Sequence, residues 1–181
     1  MTLYSDGRYN ECEKLFVQMV EARNGVLGDN HPSTLTSMAN LASTYRNQGR
    51  WTEAEKLEVQ VIDTLNRVLG DEHPNTLASM ANLASTLWNQ GRWTEAEKLE
   101  VQVMETKNRV LGGEHPDTLT SMNNLAYTLK GLGHHDRAIS MMDTCVDLRT
   151  RVLGAHHPHT MSSLDTLNTW RMESVSITSV S

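Results

Sequence analysis

An all-α fold, a right-handed α-solenoid of antiparallel helix pairs, follows from three features of this 181-residue chain. The first is a period of 42 residues: His-Pro stands at His31-Pro32, His73-Pro74, His115-Pro116 and His157-Pro158. Gly49, Gly91 and Gly133 keep the same spacing, as do Val26-Leu27-Gly28, Val68-Leu69-Gly70, Val110-Leu111-Gly112 and Val152-Leu153-Gly154. The second is that apolar residues recur at helical spacing twice within each period. The third is that no stretch alternates apolar and polar residues, so no strand is expected. A fixed period of about 20–50 residues marks a stacked array in which each unit touches mainly its neighbours.

The units read in order. Residues 1–30 are a partial unit, 31–72, 73–114 and 115–156 are whole, and 157–172 is a second partial unit. Residues 31–72 and 73–114 are identical at 34 of 42 positions, and 73–114 and 115–156 at 17. The first helix of a unit opens at His-Pro, where proline loses no needed hydrogen bond. Leu35, Met38, Leu41, Ala42 and Tyr45 form its stripe, and Asn47-Gln48-Gly49 ends it. The second helix opens at Thr52. Thr52 with Glu55, Thr94 with Glu97 and Asn10 with Glu13 have capping-box spacing. Ala54, Leu57, Val61, Leu65 and Val68 form its stripe, and Gly70 stops it. Residues 1–8 read as the end of a first helix, and Tyr9 to Leu27 as a second. Residues 157–172 read as a first helix without its partner. Residues 173–181 carry no period and no cap and are expected to fray. The array so delimited, residues 1–172, is expected to expose stacking faces at its ends, which invites weak self-association.

Composition narrows the function classes. The apolar share is 38 %, the charged share 21 % and the net charge −6. No basic cluster suggests nucleic acid or an anionic membrane. No apolar run approaches the roughly 20 residues that span a bilayer, and the N-terminus lacks a signal-peptide pattern. Cys12 and Cys145 are too few for a disulfide framework, so a cytoplasmic setting is the expectation. Cys12 shares its register with Ala54, Ala96 and Ala138, and Cys145 with Val61 and Val103, so both read as buried packing residues. Met38, Met80, Met122 and Met161 likewise read as core.

The run Asn40-Leu41-Ala42-Ser43-Thr44-Tyr45-Arg46-Asn47-Gln48-Gly49-Arg50-Trp51-Thr52-Glu53-Ala54-Glu55 resembles a tetratricopeptide repeat. The 42-residue length and the Leu-Gly-Asp-x-His-Pro linkers resemble the kinesin-light-chain type. Thr34-Leu35-Thr36-Ser37-Met38-Ala39-Asn40-Leu41-Ala42-Ser43-Thr44, followed by Glu55-Lys56-Leu57-Glu58-Val59-Gln60-Val61, resembles the C-terminal repeats of fungal NB-ARC/NACHT receptor-like proteins. Glu58 and Glu100 depart from the general repeat pattern, which often has an aromatic there. The resemblance implies a superhelix of helix pairs and a non-catalytic module that binds a peptide or protein. It also implies the sensor or scaffold part of a nucleotide-binding immune-type receptor. A kinesin-light-chain-like cargo adaptor, a self-assembling structural array and an artificial consensus array are the alternatives.

No catalytic motif is found: there is no P-loop, no G-x-S-x-G elbow and no H-E-x-x-H. No cofactor or metal is called for. His156, His157 and His159, and the pair His134-His135, fit no ligand spacing. Glu53, Glu55 and Glu58 form either a solvated outer face or an acidic docking surface. Residues off the packing stripe of the first helices are expected to line a peptide-binding groove. In the first whole unit these are Thr36, Ala39, Asn40, Ser43, Arg46 and Asn47. In the second they are Ala78, Ala81, Asn82, Ser85, Trp88 and Asn89, and in the third Thr120, Asn123, Asn124, Tyr127 and Lys130. The resemblance implies that Asn40, Asn82 and Asn124 grip a peptide backbone, each amide offering a donor and an acceptor. Arg46, Trp88 and Lys130 occupy one register and differ drastically, so they are expected to contact the ligand rather than hold the fold. The partner is expected to be a protein or peptide.

Overall fold

The computed structural model describes residues 9–178. Eight α-helices form there, and no strand occurs among the described residues. The chain divides into two compact units, residues 1–92 and 93–181, and the division falls between the two helices of the 73–114 repeat. The first unit holds α1 (Tyr9–Leu27), α2 (Pro32–Asn47), α3 (Trp51–Leu69) and α4 (Pro74–Asn89). The second holds α5 (Trp93–Leu111), α6 (Pro116–Gly131), α7 (His135–Leu153) and α8 (Pro158–Thr178). In each unit a helix packs on the one that follows it, and α2 also touches α4. Within each unit the connections are short, which makes consecutive helices antiparallel neighbours. The expected end of a first helix in residues 1–8 lies outside the described residues.

The His-Pro pairs set where helices begin. α2, α4, α6 and α8 each start on the proline. The histidine before it takes the N-cap, a role that its residue type does not advertise. Nδ1 of His31, His73 and His115 accepts the main-chain N–H of Ser33, Asn75 and Asp117, each at 3.1 Å. His157 accepts that of His159 at 3.2 Å. Three residues after His31, His73 and His115 a buried threonine closes the loop. The hydroxyls of Thr34, Thr76 and Thr118 donate to the carbonyls of Gly28, Gly70 and Gly112 at 2.8, 2.8 and 2.9 Å. The other end of α2 is sealed by Gly49, whose φ of +75° suits glycine. Its N–H donates to the Arg46 carbonyl at 3.0 Å and that of Arg50 to the Tyr45 carbonyl at 2.9 Å, the paired bonds of a Schellman end.

The expected capping boxes do not form at α3 and α5. Both helices begin at the tryptophan, so Thr52 and Thr94 lie inside them, and Arg50 at the α3 N-cap gives the first turn no side-chain cap. The carboxylates bond instead to the repeat that follows. Glu13 accepts from Arg50 Nη1 at 2.8 Å and Gln48 Nε2 at 2.9 Å, and Asn10 Oδ1 also accepts from Gln48 Nε2. Glu55 accepts from Arg92 Nη1 at 2.6 Å and Gln90 Nε2 at 2.9 Å. Glu97 faces Arg137 at 3.7 Å. A charge-assisted bond to a guanidinium outcompetes a neutral cap for the same oxygen.

Each unit has its own core. In the first, Leu35 and Met38 of α2 meet Val61 and Leu65 of α3, flanked by Val20, Leu57 and Leu69. In the second, Leu125 and Leu129 of α6 meet Met142 and Val146 of α7 and Leu167 and Trp170 of α8. Ala42, Ala54, Ala84, Ala96, Ala126 and Ala138 are fully buried, so the helices approach closely there. Cys12 and Cys145 are buried with free thiols, and Cys145 Sγ donates to the Leu119 carbonyl at 3.3 Å. Val68, expected on the stripe of α3, is exposed. Met161 also departs from expectation. Met38 and Met80 are buried, but Met161 is 50 % exposed: it stands at the register of the buried Leu35 rather than of Met38, and among the described residues no second helix follows α8 to cover it. The fraying expected over residues 173–181 does not begin at 173, since α8 runs to Thr178. No glycine or proline interrupts it, and Lys130 Nζ holds the Glu173 carboxylate at 2.8 Å. Residues 179–181 lie outside the described ones.

Replacing His115 by alanine should lower the stability of the second unit by about 1 kcal/mol, the worth of a lost N-cap. His115→Asp, which restores an acceptor, should recover most of it. Urea titration followed by circular dichroism reads both.

Candidate functional site

In the first unit α2 and α4 stand side by side on α3 and leave a cleft of about 190 Å³. Of the residues expected in the groove, Thr36, Ala39 and Asn40 of α2 and Ala78 and Asn82 of α4 line it. Its floor is apolar, with Leu35, Val61 and Leu65, and no side chain of formal charge lines it. The spacing puts these residues together for a simple reason. Positions 36, 39 and 40 share one helix face, and a step of 42 repeats that face on α4.

The remaining expected residues divide by environment. Ser43 and Ser85 are half-buried, and the Ser85 hydroxyl donates to the Ala81 carbonyl at 3.1 Å. Asn47 and Asn89 are exposed, and Asn89 Nδ2 donates to the Ser85 carbonyl at 2.7 Å. Trp88 is 38 % exposed. Arg46 has structural partners: Nη1 donates to the Asn82 carbonyl at 3.1 Å and lies 3.9 Å from the buried Glu58 carboxylate. In the second unit the groove positions are engaged by the chain itself. Asn123 Oδ1 accepts from the Ser163 hydroxyl at 2.8 Å and from Arg149 Nη1 at 3.3 Å. The Tyr127 hydroxyl bonds to that of Thr166 at 2.8 Å, and its ring meets Trp170 edge-on at 5.2 Å. Lys130 pairs with Glu173 and sits 5.6 Å from the Trp170 ring centre. Asn124 is half-buried and Thr120 exposed.

The acidic cluster is not one surface. Glu53 is exposed and Glu55 sits in the ion pair described above, whereas Glu58 and Glu100 are only 4 % and 6 % exposed. Their register explains it. Phe16 and the fully buried Met142 occupy the same position in α1 and α7. A carboxyl placed there is desolvated, and one oxygen of each, Oε2, meets no donor. Burial pushes the Glu58 carboxyl above its ordinary range, opposed by the Thr86 hydroxyl and the Arg46 guanidinium. Burial pushes Glu100 up to about 7; the Thr128 hydroxyl opposes this and the Glu97 charge adds to it. The departure of both residues from the general repeat pattern was the signal for this in the sequence.

Two predictions follow from these carboxyls. The native state holds the Glu100 proton more tightly than the unfolded chain, whose carboxyl titrates near 4.5. Between pH 4.5 and about 7 the native state therefore carries the extra proton, and stability falls as pH rises, by on the order of 3 kcal/mol over the window. Glu100→Gln should flatten that slope in denaturation curves taken from pH 4.5 to 8. Arg46→Ala should cost about 2 kcal/mol, since it strands the Asn82 carbonyl bond and the Glu58 charge. Adding Glu58→Met should return most of this, measured by thermal melting.

Among the described residues no three His, Cys, Asp or Glu side chains are grouped to hold a metal ion; His157 and His159 stack on each other at 5.3 Å. No helix of the described residues is long and apolar enough to cross a membrane. Family models described as tetratricopeptide repeat match residues 1–33, 34–75 and 76–149. No curated protein matches the chain in a sequence comparison. Among solved structures, it is similar to a Podosopora anserina chain assigned provisionally as a kinesin light chain, with nearly identical TPR-like repeats. That match has 29 % identity and a TM-score of 0.79, covering 98 % of this chain and 87 % of the other. A single-substitution variant of the same protein gives 29 % and 0.80, covering 98 % and 86 %. BtubC (BKLC) from P. vanneervenii is similar in fold, with 19 % identity and a TM-score of 0.78 over 93 % of this chain and 68 % of that one.

Proposed function

We propose, from the premise that the chain belongs to the tetratricopeptide repeat family, that its first unit binds an extended segment of a partner protein in the cleft between α2 and α4. Repeats of this kind are protein–protein interaction modules, and no catalytic family matches the chain. The observation that carries the reading is the convergence of Asn40 and Asn82 on one uncharged cleft with an aliphatic floor. Amides can serve both the N–H and the C=O of a passing main chain, and the floor gives an apolar side chain somewhere to go. The groove positions of the second unit are a weaker candidate, because Asn123, Tyr127 and Lys130 are already bonded to α7 and α8.

Two biological settings are carried forward. In the first, the module is the sensor or scaffold part of a nucleotide-binding receptor; the wording of residues 34–44 and 55–61 supports it. In the second, it is a cargo adaptor of the kinesin-light-chain kind; the similarity to the Podosopora anserina chain over 98 % of this one supports that. Either setting is placed in the cytosol, where the thiols of Cys12 and Cys145 stay reduced.

Peptides selected from a phage-displayed random library against the full chain should lose at least tenfold in affinity on Ala78→Trp, which fills the cleft, and on Asn40→Ala combined with Asn82→Ala. The melting temperature of Ala78→Trp should stay close to that of the parent. Selected peptides whose affinity ignores all three changes would place binding elsewhere and overturn the reading.

A further inference from the structure

The four second helices of the repeats, α1, α3, α5 and α7, place Arg23, Leu65, Lys107 and Arg149 at one register. Three of the four are cations, and the two arginines do the same thing. Arg23 Nη1 donates to the Ser33 carbonyl at 2.9 Å and to the Ser37 hydroxyl at 2.6 Å. Arg149 Nη1 donates to the His159 carbonyl at 3.1 Å and to the Ser163 hydroxyl at 2.5 Å. These acceptors are equivalent, three periods apart, and lie at the start of the helix that follows. Arg149 also reaches Asn123 Oδ1, and it is only 4 % exposed. Neutral acceptors at this register therefore hold a buried guanidinium with no carboxylate among them.

At Leu65 the repeat presents the same acceptors without the guanidinium. The equivalents of the carbonyl and the hydroxyl are Asn75 and Ser79, and the equivalent of Asn123 is Ala39, which opens the space further. Leu65, Asn75, Ser79 and Ala39 all line the cleft of the first unit. Ser79 is itself only 8 % exposed.

We infer that this cleft takes the guanidinium of an arginine side chain presented by the bound peptide, held by the Ser79 hydroxyl and the Asn75 carbonyl as Arg23 and Arg149 are held in their own repeats. The inference rests on the cleft being the peptide site and adds the identity of its anchor. Two further features suit a cation. No positive side chain lines the cleft to repel one, and the chain carries a net charge of −6. The aliphatic floor suits the methylene stem of arginine, which packs on apolar surface while its head bonds. A lysine presents its donors at one point, whereas the planar fork of arginine is less hydrated and better suited to enclosed acceptors.

The test uses the full chain and three blocked tripeptides, acetyl-Ala-X-Ala-amide, in which X is arginine, its uncharged isostere citrulline, or leucine. Binding is followed by NMR shifts of the amides of Ser79 and Asn82 up to millimolar peptide. The arginine peptide should bind at least tenfold more tightly than either other. Leu65→Arg supplies the guanidinium from within, as in α1 and α7. It should keep or raise the melting temperature and weaken the arginine peptide at least tenfold. Ser79→Ala should weaken it several-fold, which keeps the test open should Leu65→Arg not fold. No saturable shift, equal affinity for the leucine peptide, or full affinity in Ser79→Ala would each overturn the anchor. Library-selected peptides that need Asn82 but ignore both Leu65→Arg and the presence of arginine would leave the groove standing and remove only its guanidinium.

Discussion

Everything in this molecule depends on how the helix ends are satisfied. A helix leaves four N–H groups unpaired at its start and four carbonyls at its finish, and an array of short antiparallel helices has many such ends. Here one short motif settles the openings of α2, α4 and α6. The histidine caps the first turn, the proline starts it, and the threonine two residues after the proline ties the preceding glycine carbonyl into the loop. Gly70, with φ +92° and ψ 164°, takes a backbone conformation almost reserved for glycine, and so fixes the direction in which the chain leaves α3. Because the same closure recurs, every position in one repeat has a meaningful counterpart in the next.

That constancy lets single residues be read by comparison. The register of Glu58 is filled by Phe16, Glu100 and Met142, and burial does not change to suit the glutamates. In the first unit a guanidinium 3.9 Å away offsets part of the cost; around Glu100 the groups that act on its carboxyl are a hydroxyl and another carboxylate. The same substitution is therefore tolerated through different means in two repeats. Arg46 belongs to this arrangement, so it has a structural tie that Trp88 and Lys130, at the same register, do not share.

The helices, their order and most of the packing faces were legible in the sequence, because a 42-residue period and helical spacing report backbone geometry directly. The His-Pro starts, the Gly49 end, and the burial of Cys12 and Cys145 fall in that class. What escaped was anything decided by a competition between partners. Thr52 and Glu55 had the spacing of a cap, yet Arg92 and Gln90 from the following repeat claimed the carboxylate. His31 looked like a linker residue because histidine seldom caps. The tail after Trp170 lost its period but not its helix, since helix needs only the absence of a breaker and a few side-chain ties such as Glu173 to Lys130. Among the candidate site residues, the faces were predictable and their occupancy was not. Asn40 and Asn82 line the cleft, while Asn123, one residue from their register, bonds Arg149 and Ser163.

The contrast between those asparagines shows how an array of near-copies can acquire a site without building one. A repeat that is fully self-satisfied offers nothing to a partner, because its acceptors and its space are used internally. At this register α7 and α8 use their acceptors internally, with Arg149 Nη1 bonding a carbonyl, a hydroxyl and an amide at once. Shortening the arginine to leucine and the asparagine to alanine, as at Leu65 and Ala39, removes two side chains and leaves the scaffold that held them. The helix ends do not notice the change, since none of their bonds passes through those positions. Recognition can then arise by subtraction, at a place where the fold has already arranged acceptors around a space of the right size.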